Sequence, residues 1–140
     1  MVEVDPPVVP DLPVSSWSAM ARGAKFCCPR CGEAPLFRKW LKPVDSCSSC
    51  GQDWTRQQAD DFPAYVAILL AGHILAPIMI VLGLETDLSV TALLAILMPS
   101  ATAMMLGMLQ PAKGAIIALQ WWFGMHGFVR ERREIPMPPA

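Results

Sequence analysis

Cys28-Pro29-Arg30-Cys31-Gly32 is answered by Cys47-Ser48-Ser49-Cys50-Gly51, with residues 32–46 between the two inner cysteines. A Cys-x2-Cys pair lets two sulfurs face one ion, and two such pairs supply the four soft ligands of a tetrahedral metal centre. The separation of the pairs falls in the range of zinc ribbons. Glycine follows the second cysteine of each pair, where a tight turn beneath a metal favours positive φ. Cys28, Cys31, Cys47 and Cys50 are therefore the expected metal ligands. Cys27 stands outside the regular spacing and is left out of the shell.

Working outward, residues 22–57 form the expected zinc-ribbon-like head. The linker Leu36-Phe37-Arg38-Lys39-Trp40-Leu41 reads as a short hairpin strand. Phe26, Leu36, Phe37, Trp40, Leu41 and Trp54 offer a miniature core, too small to fold without a metal. Four thiolates around a divalent ion leave a net −2, and Arg30, Arg38, Lys39 and Lys42 are close enough in sequence to offset it. Structural zinc is the first reading, since a closed four-sulfur shell leaves no open coordination position. A rubredoxin-like iron centre and a thiol-exchange site are the alternatives.

The rest of the chain looks unlike a soluble partner for such a head. Hydrophobic residues make up 54% and charged residues 16%, against about 25% charged in ordinary soluble domains. All 11 Lys and Arg residues lie before Phe62 or after Pro111. Residues 62–84 carry no charge and would reach about 35 Å as a helix, enough to cross a bilayer's hydrocarbon core. Asp60 and Asp61 before it suit helix capping, Pro63 suits a first turn, and Tyr65 falls at interface depth. His73 sits mid-span, where an ionisable group usually faces a partner. Gly72 would allow a close helix neighbour, and Pro77 is expected to kink the helix.

After the short turn Glu85-Thr86-Asp87, residues 88–109 form a second uncharged span. Ala95, Pro99, Ala103 and Gly107 recur every four residues and make a smooth ridge, expected to receive the first span or to dock against another membrane protein. Met98, Met104, Met105 and Met108 read as packing or lipid-facing side chains. Pro111 is expected to end this helix. Residues 113–128, with Trp121, Trp122, Gln120 and His126, are too short to cross comfortably and are read as an amphipathic helix lying on the membrane surface.

The ends are simpler. Residues 1–21 hold Pro6, Pro7, Pro10 and Pro13 and read as a disordered tail, and residues 129–140 as a basic, Pro-rich tail. The acidic, Pro-rich start is not read as a secretory signal. Two spans place the basic head and Arg130, Arg132 and Arg133 on one side, with Glu85 and Asp87 on the other. The positive-inside rule then expects both termini in the cytoplasm. The fold class is thus a mainly α membrane protein: a four-Cys head, a two-helix transmembrane hairpin and a C-terminal interfacial amphipathic helix. The net charge of −1 and the acids Glu33, Asp45 and Asp53 among the head's bases argue against nucleic acid. No nucleophile–base set, phosphate loop or paired-carboxylate site stands out, so no enzyme is expected.

The succession CPRCG, LF, CSSCG, QxADDxPAY, a GH pair within a span and LQWW resembles the DUF983 family, small bacterial inner-membrane proteins of undefined function. The resemblance extends over about residues 23–128. It carries Cys28, Cys31, Cys47 and Cys50 onto the family's knuckles, and Asp60, Asp61, Pro63, Tyr65 and His73 onto its membrane-entry segment. Phe62 departs from the family's more usual glycine. In alphaproteobacteria, relatives are often encoded beside haem–copper oxidase subunits and their assembly factors. This implies an accessory role at a respiratory complex, with Asp60, Asp61, Tyr65 and His73 as candidate partner contacts. A redox or metal-handling membrane protein is the other function class.

Overall fold

The computed structural model describes residues 10–131 of the chain. Its regular elements, in order, are helix α1 (Ser16–Ala24), strands β1 (Phe37–Lys39) and β2 (Lys42–Pro43), and helices α2 (Phe62–Glu85) and α3 (Val90–Phe123). A short 3-10 turn, Met125–Gly127, closes the C-terminal end.

Helix α1 lies partly in the segment expected to be a disordered tail, so that expectation is corrected for residues 16–21. Ser15 accepts from the Ser18 backbone N–H while Ser18 Oγ closes a reciprocal capping box, which satisfies donors that a helix start otherwise leaves free. Ala19 and Gly23 on one face are buried, and α1 packs along α3. The tail expectations for residues 1–9, with Pro6 and Pro7, and for residues 132–140, with Arg132 and Arg133, lie outside the described residues.

α2 and α3 run as an antiparallel hairpin. Each is long and apolar enough to cross a membrane. α2 begins where the sequence places it, with Asp61 at the N-cap position and Pro63 in the first turn, but the Asp61 side chain makes no capping hydrogen bond. The inner face differs from expectation. Pro63, Ala67 and Ala71 of α2 are buried, whereas Ala95, Pro99, Ala103 and Gly107 of α3 are exposed. A Cβ placed on Gly72 or Gly107 would meet nothing. The smooth ridge that receives the neighbouring helix therefore belongs to α2. Larger α3 residues, Leu97, Met104, Met105 and Met108, are among the partly buried ones.

The main correction concerns residues 113–128. They are not a separate interfacial helix. α3 is one helix of 34 residues that continues through Pro99 and Pro111 to Phe123, about 51 Å at 1.5 Å per residue. An internal proline costs about 3 kcal/mol by removing one N–H and crowding the preceding turn. Beyond Pro111 the helix buries Gly114, Ile116, Ile117, Ala118, Gln120 and Trp121 against the head. Burial of a single large apolar side chain recovers about 1.5–3 kcal/mol, so this packing outweighs the proline.

The head's core is consequently shared. Leu36 and Trp54 are fully buried as expected, but Phe26 and Trp40 are exposed. Ile117, Trp121 and Phe128 take the places that the ribbon's own aromatics do not fill. Gly23 and Gly114 make the tightest approach. A Cβ built on either would lie well inside van der Waals contact distance of the other's carbonyl oxygen. Gly114→Ala is therefore expected to destabilise the head by about 1–3 kcal/mol through overpacking, read as earlier protease cleavage of α1 in detergent. Unchanged cleavage would show that α1 does not dock there.

Candidate metal centre

The two knuckles are near copies of one another, and the reason is local. In the first, the Gly32 N–H reaches the Cys28 carbonyl at 2.7 Å; in the second, the Gly51 N–H reaches the Cys47 carbonyl at 3.0 Å. Each turn closes on a glycine at positive φ, 76° for Gly32 and 71° for Gly51, a region closed to most side chains. The Cys28 N–H donates to the Ala34 carbonyl and the Cys47 N–H to the Gln52 carbonyl. Each cysteine pair is thus pinned at the base of its own loop.

The four sulfurs converge. Sγ atoms of Cys28, Cys31, Cys47 and Cys50 all lie within 4.8 Å of one another. Cys28 and Cys50 are 3.8 Å apart and Cys31 and Cys47 are 3.7 Å apart. A regular tetrahedron with metal–sulfur bonds of about 2.3 Å has edges of about 3.8 Å, so the cluster fits a single ion. All five cysteines are free thiols, and Cys27 stays outside the cluster, its Sγ turned to the Lys25 carbonyl at 3.6 Å.

Burial pushes the Cys28 and Cys50 thiols above the ordinary thiol range. Burial also works against ionisation of Cys31. There the backbone N–H groups near Ala34 and Glu33, with the Cys47 and Cys28 thiols, prevail and bring it down to about 7. One ligand is thereby ready to ionise near neutrality, and a bound cation would deprotonate the rest.

Of the four bases expected to balance the thiolates, Arg30 takes that position. Its Nη1 donates to the Cys50 carbonyl at 3.1 Å and its Nε pairs with Glu131 at 2.5 Å. Arg38 pairs instead with Asp45 at 3.7 Å. The Glu33 carboxylate accepts from Ser49 Oγ and so ties one knuckle to the other. Arg22 of α1 reaches both Asp11 and the Arg30 carbonyl.

A second polar fastening was not legible from motifs. The side chain of Gln120, buried on α3, accepts from the Gln58 N–H at 3.0 Å and donates to the Gln58 carbonyl at 2.8 Å. This amide pair clamps the segment that leads from the ribbon into α2. Beside it, the Trp121 ring meets Trp54 edge to face at 6.3 Å, and Trp54 meets Phe128 at 5.8 Å. A lone amide in an apolar run was the only hint of Gln120, and it gave no partner.

The membrane-entry residues do not form one cluster. Asp60, Asp61 and Tyr65 lie at the head end of α2, with Asp61 and Tyr65 exposed. His73 lies eight residues beyond Tyr65, about 12 Å along the helix, and it too is exposed. Its Nδ1 is 2.7 Å from the Leu69 carbonyl. A carbonyl only accepts, so Nδ1 is the donor in this bond.

A ribbon that brings four cysteines close enough to hold one metal ion, built on the end of a long helical hairpin, defines a mainly helical protein with a candidate metal site and two membrane-capable helices. A family model described as a protein of unknown function (DUF983) matches residues 37–121, well over half of the chain. The chain belongs to the DUF983 family. The match runs from β1 to Trp121, so it takes in the second knuckle and both long helices but not the first knuckle or α1. Searches of curated proteins and of solved structures returned no significant match.

Replacing Cys31 or Cys50 by Ser is expected to abolish retention of one metal equivalent per chain and to open the head to protease. Chelation or acidification should do the same to the unaltered protein, because each ligand must be deprotonated to bind. Full protease resistance of the metal-free head would contradict a metal-fastened fold.

Proposed function

We propose that this chain is a non-catalytic integral membrane accessory protein, whose cytoplasmic head is held by structural zinc and whose exposed helical surfaces engage a membrane complex. The observation that carries the reading is a contrast along α3. Before Pro111 it carries exposed apolar residues such as Leu94, Ile96, Met98 and Leu106, whereas beyond it Ile116, Ile117 and Trp121 are buried. An apolar surface of that extent is unfavourable in water and favourable in lipid. Asp87 and Lys113 bracket the uncharged stretch of α3, which supports a bilayer between those levels.

Zinc is favoured over iron because the closed sulfur shell has a fastening role, with Ile117 and Trp121 of α3 completing the core around it. The basic residues of the head, with Arg130, gather at one end of the hairpin, and Glu85 and Asp87 lie at the other. That distribution supports a bacterial inner-membrane topology with both termini in the cytoplasm. His73 is the proposed partner contact within the bilayer, with Asp60, Asp61 and Tyr65 as contacts at its surface. Pro77 has no N–H to give the His73 carbonyl, so that carbonyl and the Nε2 edge of the ring present two hydrogen-bonding groups at mid-depth. Polar side chains on a partner helix would satisfy them. The gene neighbourhood of family relatives makes a haem–copper oxidase, or its assembly machinery, the first partner to test.

Reporter fusions at Met1 and at Ala140 should both report cytoplasm; an external C-terminus would overturn the two-span topology. His73→Leu should leave insertion and metal content intact while the co-purifying complex is lost from a mild-detergent affinity preparation. An unchanged set of co-purifying proteins would remove His73 from the interface. Metal analysis of the same preparation should find one redox-silent zinc per chain. Iron with visible absorbance would favour the electron-carrying alternative.

A further inference from the structure

The hairpin of the head is the part that the metal centre does not use. β1 and β2 are joined by Trp40 and Leu41, with Leu41 at φ 60°. Trp40 is 55% exposed. Around it lie Arg38, Lys39 and Lys42, all exposed. Lys25 and the partly exposed Phe26 stand beside the base of the hairpin, where the Phe26 and Phe37 rings meet at 6.1 Å. Arg38 has Asp45 as a counter-charge. Among the described residues no carboxylate pairs with Lys25, Lys39 or Lys42. An exposed tryptophan ringed by unpaired lysines suits an interface of opposite charge.

The position of this hairpin relative to the spans follows from contacts along α3. The Phe26 N–H donates to the Gly23 carbonyl at 3.0 Å, and Gly23 abuts Gly114. Gly114 follows Lys113, where the uncharged stretch of α3 ends. The base of the hairpin is therefore tied, through Phe26 and Gly23, to α3 beside the end of its uncharged stretch. The opposite end of the ribbon is tied further along the chain: Arg30 of the first knuckle reaches Glu131, and Arg56 donates to the Gly127 carbonyl. The hairpin base is thus tied beside the end of the uncharged stretch, and the first knuckle to residues beyond α3.

We infer that the β1–β2 hairpin is a membrane-surface finger: Trp40 enters the headgroup layer, and Lys39, Lys42 and Lys25 bind anionic lipid phosphates. This rests on the membrane reading of α2 and α3 given above. Tryptophan favours the interface, where its ring is half in hydrocarbon and its N–H remains wet. Lysines near an anionic leaflet gain from its surface potential within about a Debye length. A nearby acidic protein could meet the lysines, but it would have no reason to lie level with the end of the spans.

The test uses the full chain in lipid nanodiscs whose acyl chains carry bromine near the headgroup. One set is phosphatidylcholine alone and the other contains phosphatidylglycerol. The Trp40 signal is the emission lost in Trp40→Phe relative to the unaltered chain. It should be quenched in the phosphatidylglycerol discs and recover in high salt. Lys39→Gln and Lys42→Gln should each lower the ratio of inserted to free hairpin about fivefold. Co-purification of the chain with the discs reports the spans independently. A chain that fails to stay with the discs overturns the membrane reading itself. A disc-bound chain with unquenched Trp40 overturns the finger alone and leaves the basic face to an acidic protein. Equal quenching in both lipids, unaffected by the lysine changes, would overturn headgroup recognition.

Discussion

A ribbon of this size cannot bury enough apolar surface to hold itself together, and the structure answers that shortage by lending it a piece of a membrane-capable helix. Leu36 and Trp54 are the large ribbon side chains that are fully buried. They are enclosed because α3 extends past Pro111 and brings Ile117 and Trp121 to them. Backbone bonds of Gly32 and Gly51 close the two knuckles, the Gly23–Gly114 approach lets α1 close over the other side, and Gln120 clamps the exit toward α2. Each element is weak alone. Together they make one packed junction between the candidate metal site and two long helices.

That junction has a mechanical consequence. The ribbon shares its core with the continuation of α3, so its orientation is tied to that of the long helices. His73 lies about 12 Å along α2 from Tyr65.

Much of this was written plainly in the sequence. The cysteine spacing located the four sulfurs, and the charge distribution located both long helices. Asp61 and Pro63 marked the start of α2. What could not be read had a common cause, which is that local rules were applied where distant packing decides. Pro111 carries a breaker's signature, but its cost is small beside the burial of Ile116, Ile117 and Trp121. Trp121 and Trp122 looked like interface anchors because the sequence does not reveal that Trp54 lies opposite. The four-residue ridge of Ala95, Pro99, Ala103 and Gly107 was a fair helix-packing pattern, yet Ala67 and Ala71 on α2 carry the contact. Residues 16–21 lay too near the prolines to be recognised as a helix, although Ser15 and Ser18 form a regular capping box.

The central claim is that the metal centre holds the far end of α3 in a folded head. Hydrogen exchange of the α3 amides, measured in detergent with the metal bound and after chelation, addresses it most directly. The account predicts that amides 114–121 lose protection when the metal is removed, while amides 94–109 stay protected in both states. Protection of 114–121 that does not change on metal removal would show that the helix end and the ribbon are folded independently, and would contradict the account.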